Sequence, residues 1–514
     1  MKRFRLLLLA NLLLLGFWGC KDKGIPTPEQ SDVIDDFLVT VNPIGVAPLT
    51  ARIELETTES VSVQIRVKGM RGEESDLVHR FEEVSDNHSI PVLGLYPAVE
   101  NTVILTFFDA AGDELESAEF LIETEGLIPE MPEVNIDTRI AGATTEGYIL
   151  ANYFGHTGDF LPLRPLMFDE FGDVRWFLDY SKGAIPRLFY DNGMNRFANG
   201  NLFFGEANGD NIYEIDMLGS IKEIWDLKGY GFHHHLIEKS NGNFLATVND
   251  PTKSTVEDVI IEMDRNNGEI VNKWDLTLAL DKNRRAWPTN RADLNVDWFH
   301  ANGLAYNEDD NSLIISGRTQ GTVKLTHDNE LVWILAPHKE WGTSGSGQDL
   351  TEFLLQPLDA QGQPITDSLV LVGDSNHPDF EWSWYQHSPM ILPNGNLLLF
   401  DNGDNRNYGN STEYSRAVEY KIDEVNRTIQ QVWDYGSGRG GATYAPIVSR
   451  VNYYPASDNV VFTPGSVFFG GTAYGKVVEI DYSTGNVVFE ATVIPPIAPF
   501  NITYHNAQRL TLYP

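Results

Sequence analysis

The sequence predicts an all-β chain, a six-bladed β-propeller preceded by a small N-terminal Ig-like β-sandwich. Three observations carry that expectation. From about residue 140 one unit recurs: an apolar strand, an Asp, a Gly- or Asn-bearing turn, then a strand ending at an aromatic residue. It runs as Asp169 to Trp176, Asp216 to Trp225, Asp264 to Trp274, Asp423 to Trp433 and Asp481 to Phe489, with a further copy in which Thr326 replaces the Asp before Trp333. The aromatic residues are spaced by 49, 49, 59, 100 and 56 residues, the long interval holding an insertion at roughly 338–381. Most of these tails follow a second hairpin with a turn such as Pro393-Asn394-Gly395. Two hairpins make a four-stranded sheet, and six such sheets about an axis make a propeller.

In chain order, residues 1–20 read as an export signal. Lys2, Arg3 and Arg5 precede an apolar run from Leu6 to Leu15, too short to span a bilayer. The run ends at Gly19-Cys20, and Cys20 is the one cysteine in the chain. A lone cysteine there resembles a bacterial lipoprotein box, with Cys20 lipidated as the mature N-terminus. The expectation is an exported lipoprotein, periplasmic or anchored to the outer membrane, with residues 21–31 as its tether. A single cysteine permits no disulfide within the chain.

Residues 32–124 carry short strand patterns at 36–41, 49–55, 61–67, 89–95, 103–108 and 115–122, as in an Ig-like sandwich. Residues 125–139, with Pro129 and Pro132, read as a linker, and 140–514 as the propeller. The last segment, Ile502 to Tyr513, is a strand without a tail. It is expected to complete the first blade and close the ring, because an open propeller leaves a bare strand edge.

Composition sets the partner class. Hydrophobic residues at 42% and aromatics at 11% belong to a folded protein, and 514 residues need a repetitive architecture or several cores. The net charge is −36, or −36 − 3 = −39 once Lys2, Arg3 and Arg5 are removed. Such a surface excludes nucleic acid as a partner, and any anion site must be built locally from Arg and His.

Three of the twelve histidines share one register. His234, His300 and His387 are each followed seven residues later by an Asn, at Asn241, Asn307 and Asn394. Equivalent strands of different blades face one axis, so these imidazoles should project to one place. Strand alternation makes His234 the inward member of His233-His234-His235. Arg318 lies one hairpin return from His300, so the two should meet at one end of a blade. The alternative is that the histidines pack blades and Arg318 pairs with a carboxylate. Asp401-Asn-Gly-Asp404 is read as a blade turn, and Arg416 as either a partner of an acidic neighbour or a pocket residue.

Specific stretches then carry a family resemblance: Phe232-His-His, Asp297-Trp-Phe-His-Ala-Asn302, Ser316-Gly-Arg318, and Gln386-His387 before Leu392-Pro-Asn-Gly-Asn396. With Asn42-Pro-Ile-Gly-Val-Ala-Pro-Leu-Thr50, they make the chain resemble the bacterial aryl-sulfate sulfotransferases, which work without phosphoadenosine phosphosulfate. The resemblance implies that His387 carries the sulfuryl group transiently while His234, His300 and Arg318 bind its oxygens. It also implies Asn302 as a substrate contact, an aryl sulfate donor, a phenolic acceptor, no cofactor or metal, and a homodimer.

The residue types suit that chemistry. Sulfuryl transfer, like phosphoryl transfer, needs an in-line nucleophile and fixed donors around three equatorial oxygens. Neutral imidazole is a competent nucleophile, Arg318 supplies a permanent charge, and His300 or His234 could protonate the phenol oxygen. Two other readings stand beside it. One is a three-His metal hydrolase, disfavoured by the nearby Arg318. The other is a non-enzymatic lipoprotein whose propeller binds a ligand or partner.

Overall fold

A computed structural model describes residues 25–152, 154–155, 164–180, 193–206, 209–286, 292–469, 471–496 and 502–514. The leader with Cys20, residues 21–24 of the tether, and His156 lie outside the described residues. Among the described residues no helix is long and apolar enough to cross a membrane. The chain divides into two compact units. One takes in residues up to Phe37 with 55–88 and 102–121; the other takes in 38–54, 89–101 and 122–514.

The N-terminal region is a five-stranded sheet in the order Ile34–Val41, Ala51–Val67, Glu100–Phe108, Glu114–Glu123, with Leu77–Val92 also paired to Ala51–Val67. The strand patterns at 49–55 and 61–67 are one strand of 17 residues, because Thr57 to Ser60 contains no Gly or Pro to break it. Its alternating buried positions, including Ile53, Leu55, Val63 and Ile65, form the inward face.

The second unit carries six antiparallel sheets, the blades. Each central blade runs inner to outer along the chain: Gly231–Glu238 to Glu269–Asp275 in blade 3, and Ala301–Asn307 to Leu331–Leu335 in blade 4. Blade 5 begins at His387–Ile391 and gains an outer parallel strand, Gln356–Leu358, from the insertion. The recurring tails have two physical causes. Their Asp closes the outer turn by accepting backbone N–H groups, as Asp169 does from Phe171 and Asp173, and Asp216 from Leu218 and Ser220. Thr326 does the same with its hydroxyl oxygen, accepting from Glu330 N. The terminal Trp ties its blade to the next one. Trp176, Trp225 and Trp274 each donate the indole N–H to a carbonyl in the following outer turn, of Met217, Arg265 and Thr326.

Both ends of the propeller sequence close the ring. Ala507–Leu510 is the innermost strand of blade 1, paired with Tyr148–Ala151. Glu133–Arg139, at the end of the stretch read as linker, is instead a fifth, outermost strand of blade 6, paired with Val487–Ile494. Its alternation of Val134 and Ile136 with polar residues is a strand pattern that the two preceding prolines obscure. Arg509 and Glu479 lock blade 1 to blade 6 as an ion pair of 2.7 Å, with side chains 1% and 0% exposed. Removing one partner leaves a buried charge unpaired, so Arg509→Ala is expected to lower stability by about 3–5 kcal/mol. Urea unfolding measures this, and an unchanged midpoint would exclude a role for the pair in closure.

Candidate active site

The inner strands of blades 3, 4, 5 and 6 lie side by side in turn. Side chains stitch them: Asn302 Nδ2 and Ser316 Oγ both donate to the Gln386 carbonyl, and Ser388 Oγ donates to that of Val451. Close approach there requires glycine. A Cβ on Gly303 would meet Pro389 Cδ at 2.6 Å and Ser388 N at 2.9 Å, and one on Gly317 would meet the Phe299 ring at 2.5 Å. That explains the glycines of the Asn302-Gly303 and Ser316-Gly317-Arg318 stretches.

The three histidines of the shared register stand at the starts of these strands, and a β-bulge breaks each ladder there. The irregularities fall between Phe232 and Leu236, Ala301 and Gly303, and His387 and Met390. His234, Glu257, His300, Tyr385 and Ser388 take positive φ of 53° to 59°. Left-handed backbone at non-glycine residues costs about 1–3 kcal/mol each and concentrates at functional sites, where it re-aims side chains. The bulge also overturns the simple alternation expected for His233-His234-His235. His233 and His234 lie together, with Nδ1 atoms 3.1 Å apart, and His235 accepts from Leu304 N on blade 4.

His234 and His300 meet edge to face with ring centroids 4.8 Å apart. Arg318 N donates to the His300 carbonyl at 3.1 Å, and Arg318 Nη2 lies 3.7 Å from Asp297 Oδ2. Electrostatic coupling joins His387 to Arg318 and His300. The structure thus brings His234, His300, His387 and Arg318 into one group. Asn302 lies beside it, its amide donating to the backbone before His387. Arg416 pairs with a carboxylate: Arg416 Nε and Arg406 Nη2 reach Asp401 Oδ2 at 2.8 and 2.9 Å, all three residues being buried. Asp401 Oδ1 in turn accepts from Trp384 N, bracing the approach to His387. Asp404 is buried and accepts from the Tyr444 hydroxyl.

The environments set the protonation of four groups. For His300, burial opposes charge, but Glu257, reinforced by Asp297, raises its pKa to about 9. Both carboxylates converge on Nδ1, Glu257 at 2.6 Å and Asp297 at 2.7 Å. Burial works against ionisation of Glu257 too, and the His300 charge overrides it, lowering its pKa to about 2. This pair is therefore charged at neutral pH. His234 is held well below the ordinary value, first by burial and then by His300 and the other imidazoles, so it is neutral. Burial, followed by the electrostatic influence of His505, likewise holds His387 well below its ordinary value, so it is neutral.

Asn402 fixes the tautomer of His387. Its Nδ2 donates to the carbonyls of Ala445 and Val448 at 2.8 and 2.9 Å, which leaves Oδ1 to accept from His387 Nδ1 at 2.7 Å. The Tyr385 carbonyl lies 3.1 Å from the same nitrogen. Nδ1 therefore carries the proton, and the lone pair is on Nε2.

Sequence reasoning did not select Glu257, Asn402 or His505. Glu257 lies on the connection between the second and third strands of blade 3, and Asn402 just past the second strand of blade 5, so the inner-strand register could not find them. His505 precedes the inner strand of blade 1, with its ring centroid 5.5 Å from that of His234. The missed signal was the topology itself. A strand expected to complete blade 1 must present an inner residue, but His505 has Leu512 seven residues on and no turn after it. Two groups among the described residues could hold a metal ion, His233 with His234 and Glu257, and Glu257 with Asp297 and His300. In the second, a cation would displace the proton that both carboxylates hold on His300.

Fold and site together define a propeller protein whose axial imidazoles and guanidinium suit a covalent transfer of an oxyanion group. The chain belongs to the arylsulfotransferase family. A family model for arylsulfotransferase matches residues 147–504, and one for the arylsulfotransferase Ig-like domain matches residues 38–125. The arylsulfate sulfotransferase AssT of Escherichia coli O6:H1 (strain CFT073) is 30% identical over 89% of this chain and 90% of that protein. The same holds for AssT of Lelliottia amnigena, at 30% identity over 89% and 90%. Among solved structures, a streptogramin B lyase aligns at 13% identity with a TM-score of 0.33, covering 79% of this chain and 95% of that one.

Proposed function

We propose that this protein moves a sulfuryl group from an aryl sulfate to a phenol in two steps, through a sulfohistidine at His387. The observation that carries this reading is the state of that ring: neutral, buried, with its proton fixed on Nδ1 by Asn402 and its lone pair on Nε2. In the first step Nε2 attacks sulfur, the N–S bond forms and the S–O bond to the donor phenol breaks. In the second, an acceptor phenol oxygen attacks sulfur and the N–S bond breaks. Arg318 and His300, charged at neutral pH, stabilise the equatorial oxygens, and neutral His234 contributes an N–H. A neutral amide cannot take the Nδ1 proton, so the sulfated ring stays cationic. That keeps the imidazole a good leaving group for the second step.

Mixing the protein with a chromogenic aryl sulfate is expected to release one equivalent of phenol in a burst. The steady rate should then rise on adding a second phenol, and a strong chelator should leave both phases unchanged. A steady rate indifferent to added phenol would make the protein a hydrolase. Loss of the burst on chelation would favour a metal at the His233, His234 and Glu257 group.

A further inference from the structure

Phenol transfer needs a group that gives and takes a proton at the phenol oxygen, and the residues described so far are poorly suited to it. His300 is clamped as a cation by Glu257 and Asp297, and losing its proton would leave two carboxylates uncompensated in a confined space. His234 is held neutral among other imidazoles. His387 keeps its Nδ1 proton on Asn402 and uses Nε2 for bonding to sulfur.

A fourth imidazole stands among them. His505 enters from the strand that closes the ring, and its ring meets that of His234 edge to face at 5.5 Å. Its electrostatic influence on His387 is second only to that of burial itself. Its backbone is fixed on both sides. Tyr504 is fully buried and its N–H donates to the Gly465 carbonyl at 3.1 Å. Asn506 Nδ2 donates to the Met194 carbonyl on blade 2 at 3.1 Å, and Asn452 Nδ2 to the Ala507 carbonyl at 3.3 Å. Whereas His234, His300 and His387 are buried, His505 is half-buried. It is thus the member of the group with access to water, the source and sink of exchanged protons.

We infer that His505 is a further catalytic residue, the acid and base at the phenol oxygen. The inference rests on the two-step transfer proposed above. In the loading step its imidazolium gives a proton to the departing oxygen as the S–O bond breaks and the N–S bond forms. In the second step the neutral ring takes the proton of the acceptor phenol as the new O–S bond forms and the N–S bond breaks. One turnover returns it to its starting state, so protons balance without another reactant.

The test separates the half-reactions. Loading from 4-nitrophenyl sulfate, whose leaving group departs without a proton, is compared with transfer to phenols of graded acidity in the wild type, His505→Gln and His505→Ala. In both variants the nitrophenol burst should fall less than about tenfold, which also reports a folded ring. Transfer to unactivated phenol should fall by about 10²–10⁴-fold, and less for more acidic phenols. Equal losses in loading and in transfer to every phenol would make His505 merely structural, and no loss in either would leave proton transfer to His300; both overturn the inference. A wild type that shows no burst and gains no sulfuryl mass would instead defeat the two-step reading itself.

Discussion

His387→Ala is expected to abolish both sulfuryl loading and phenol-stimulated turnover, with a fall in kcat of roughly 10⁵-fold or more. The magnitude follows from the proposed role: in the two-step transfer His387 supplies the bond that divides the reaction, and no neighbour can replace it. His234 lies on a different blade, and the ring of His300 is already protonated and held by two carboxylates. Intact-mass measurement after mixing with an aryl sulfate should show one added sulfuryl group on the wild type and none on the variant. The variant should remain folded, because the strand around it is braced independently by Asp401 with Arg406 and Arg416 and by the Asn302 bond to Gln386. A variant that still loads would remove His387 from the mechanism and leave the axial histidines as a binding site only.

Glu257→Gln is expected to have the next largest effect, and its signature is in the pH profile. In the proposed transfer His300 acts as a cation. Its pKa is raised to about 9, so wild-type activity should hold through neutral pH and decline as pH rises through about 9. An amide at position 257 removes the main source of that shift while burial still opposes the charge. The declining limb should then move down by about two units or more, with a loss of roughly tenfold or more at pH 8. The kcat/KM profile between pH 5 and 10 reads this directly, and an unmoved limb would mean that another group titrates. Stability follows the same linkage. The contribution of the raised His300 is fully present below its ordinary 6.5 and is lost as pH rises through about 9. That of the depressed Glu257 is present above its ordinary 4.5 and is lost as pH falls through about 2.

The fold was legible because its repeat has local causes that leave local marks. An Asp that closes a turn and an aromatic residue that ends the tail recur from blade to blade with few replacements, so the count of tails equalled the count of blades. The histidines of blades 3, 4 and 5 were legible for a related reason: each stands a fixed distance before its hairpin turn. What surrounds them was not. Glu257 reaches His300 from another blade, and Asn402 reaches His387 from the far end of the adjacent strand. No spacing along the chain encodes such meetings. His233 was misjudged because alternation assumes an unbroken ladder, and the bulge at Phe232–Leu236 breaks it. In the N-terminal sheet, apolar patches separated by polar residues looked like separate strands where the chain runs straight through.

The strand that closes blade 1 has a consequence for folding order. His234 and His505 are 505 − 234 = 271 residues apart, yet their rings are neighbours. Contacts of such sequence separation form late, because a long loop must close before any of its pairings is rewarded. Blades 2 to 5 are local structures and can assemble first. The axial group is complete only after Ala507–Leu510 has joined Tyr148–Ala151. A nascent chain that has not yet emitted its last thirteen residues, or one that has lost them, therefore carries nearly the whole propeller and an unfinished centre.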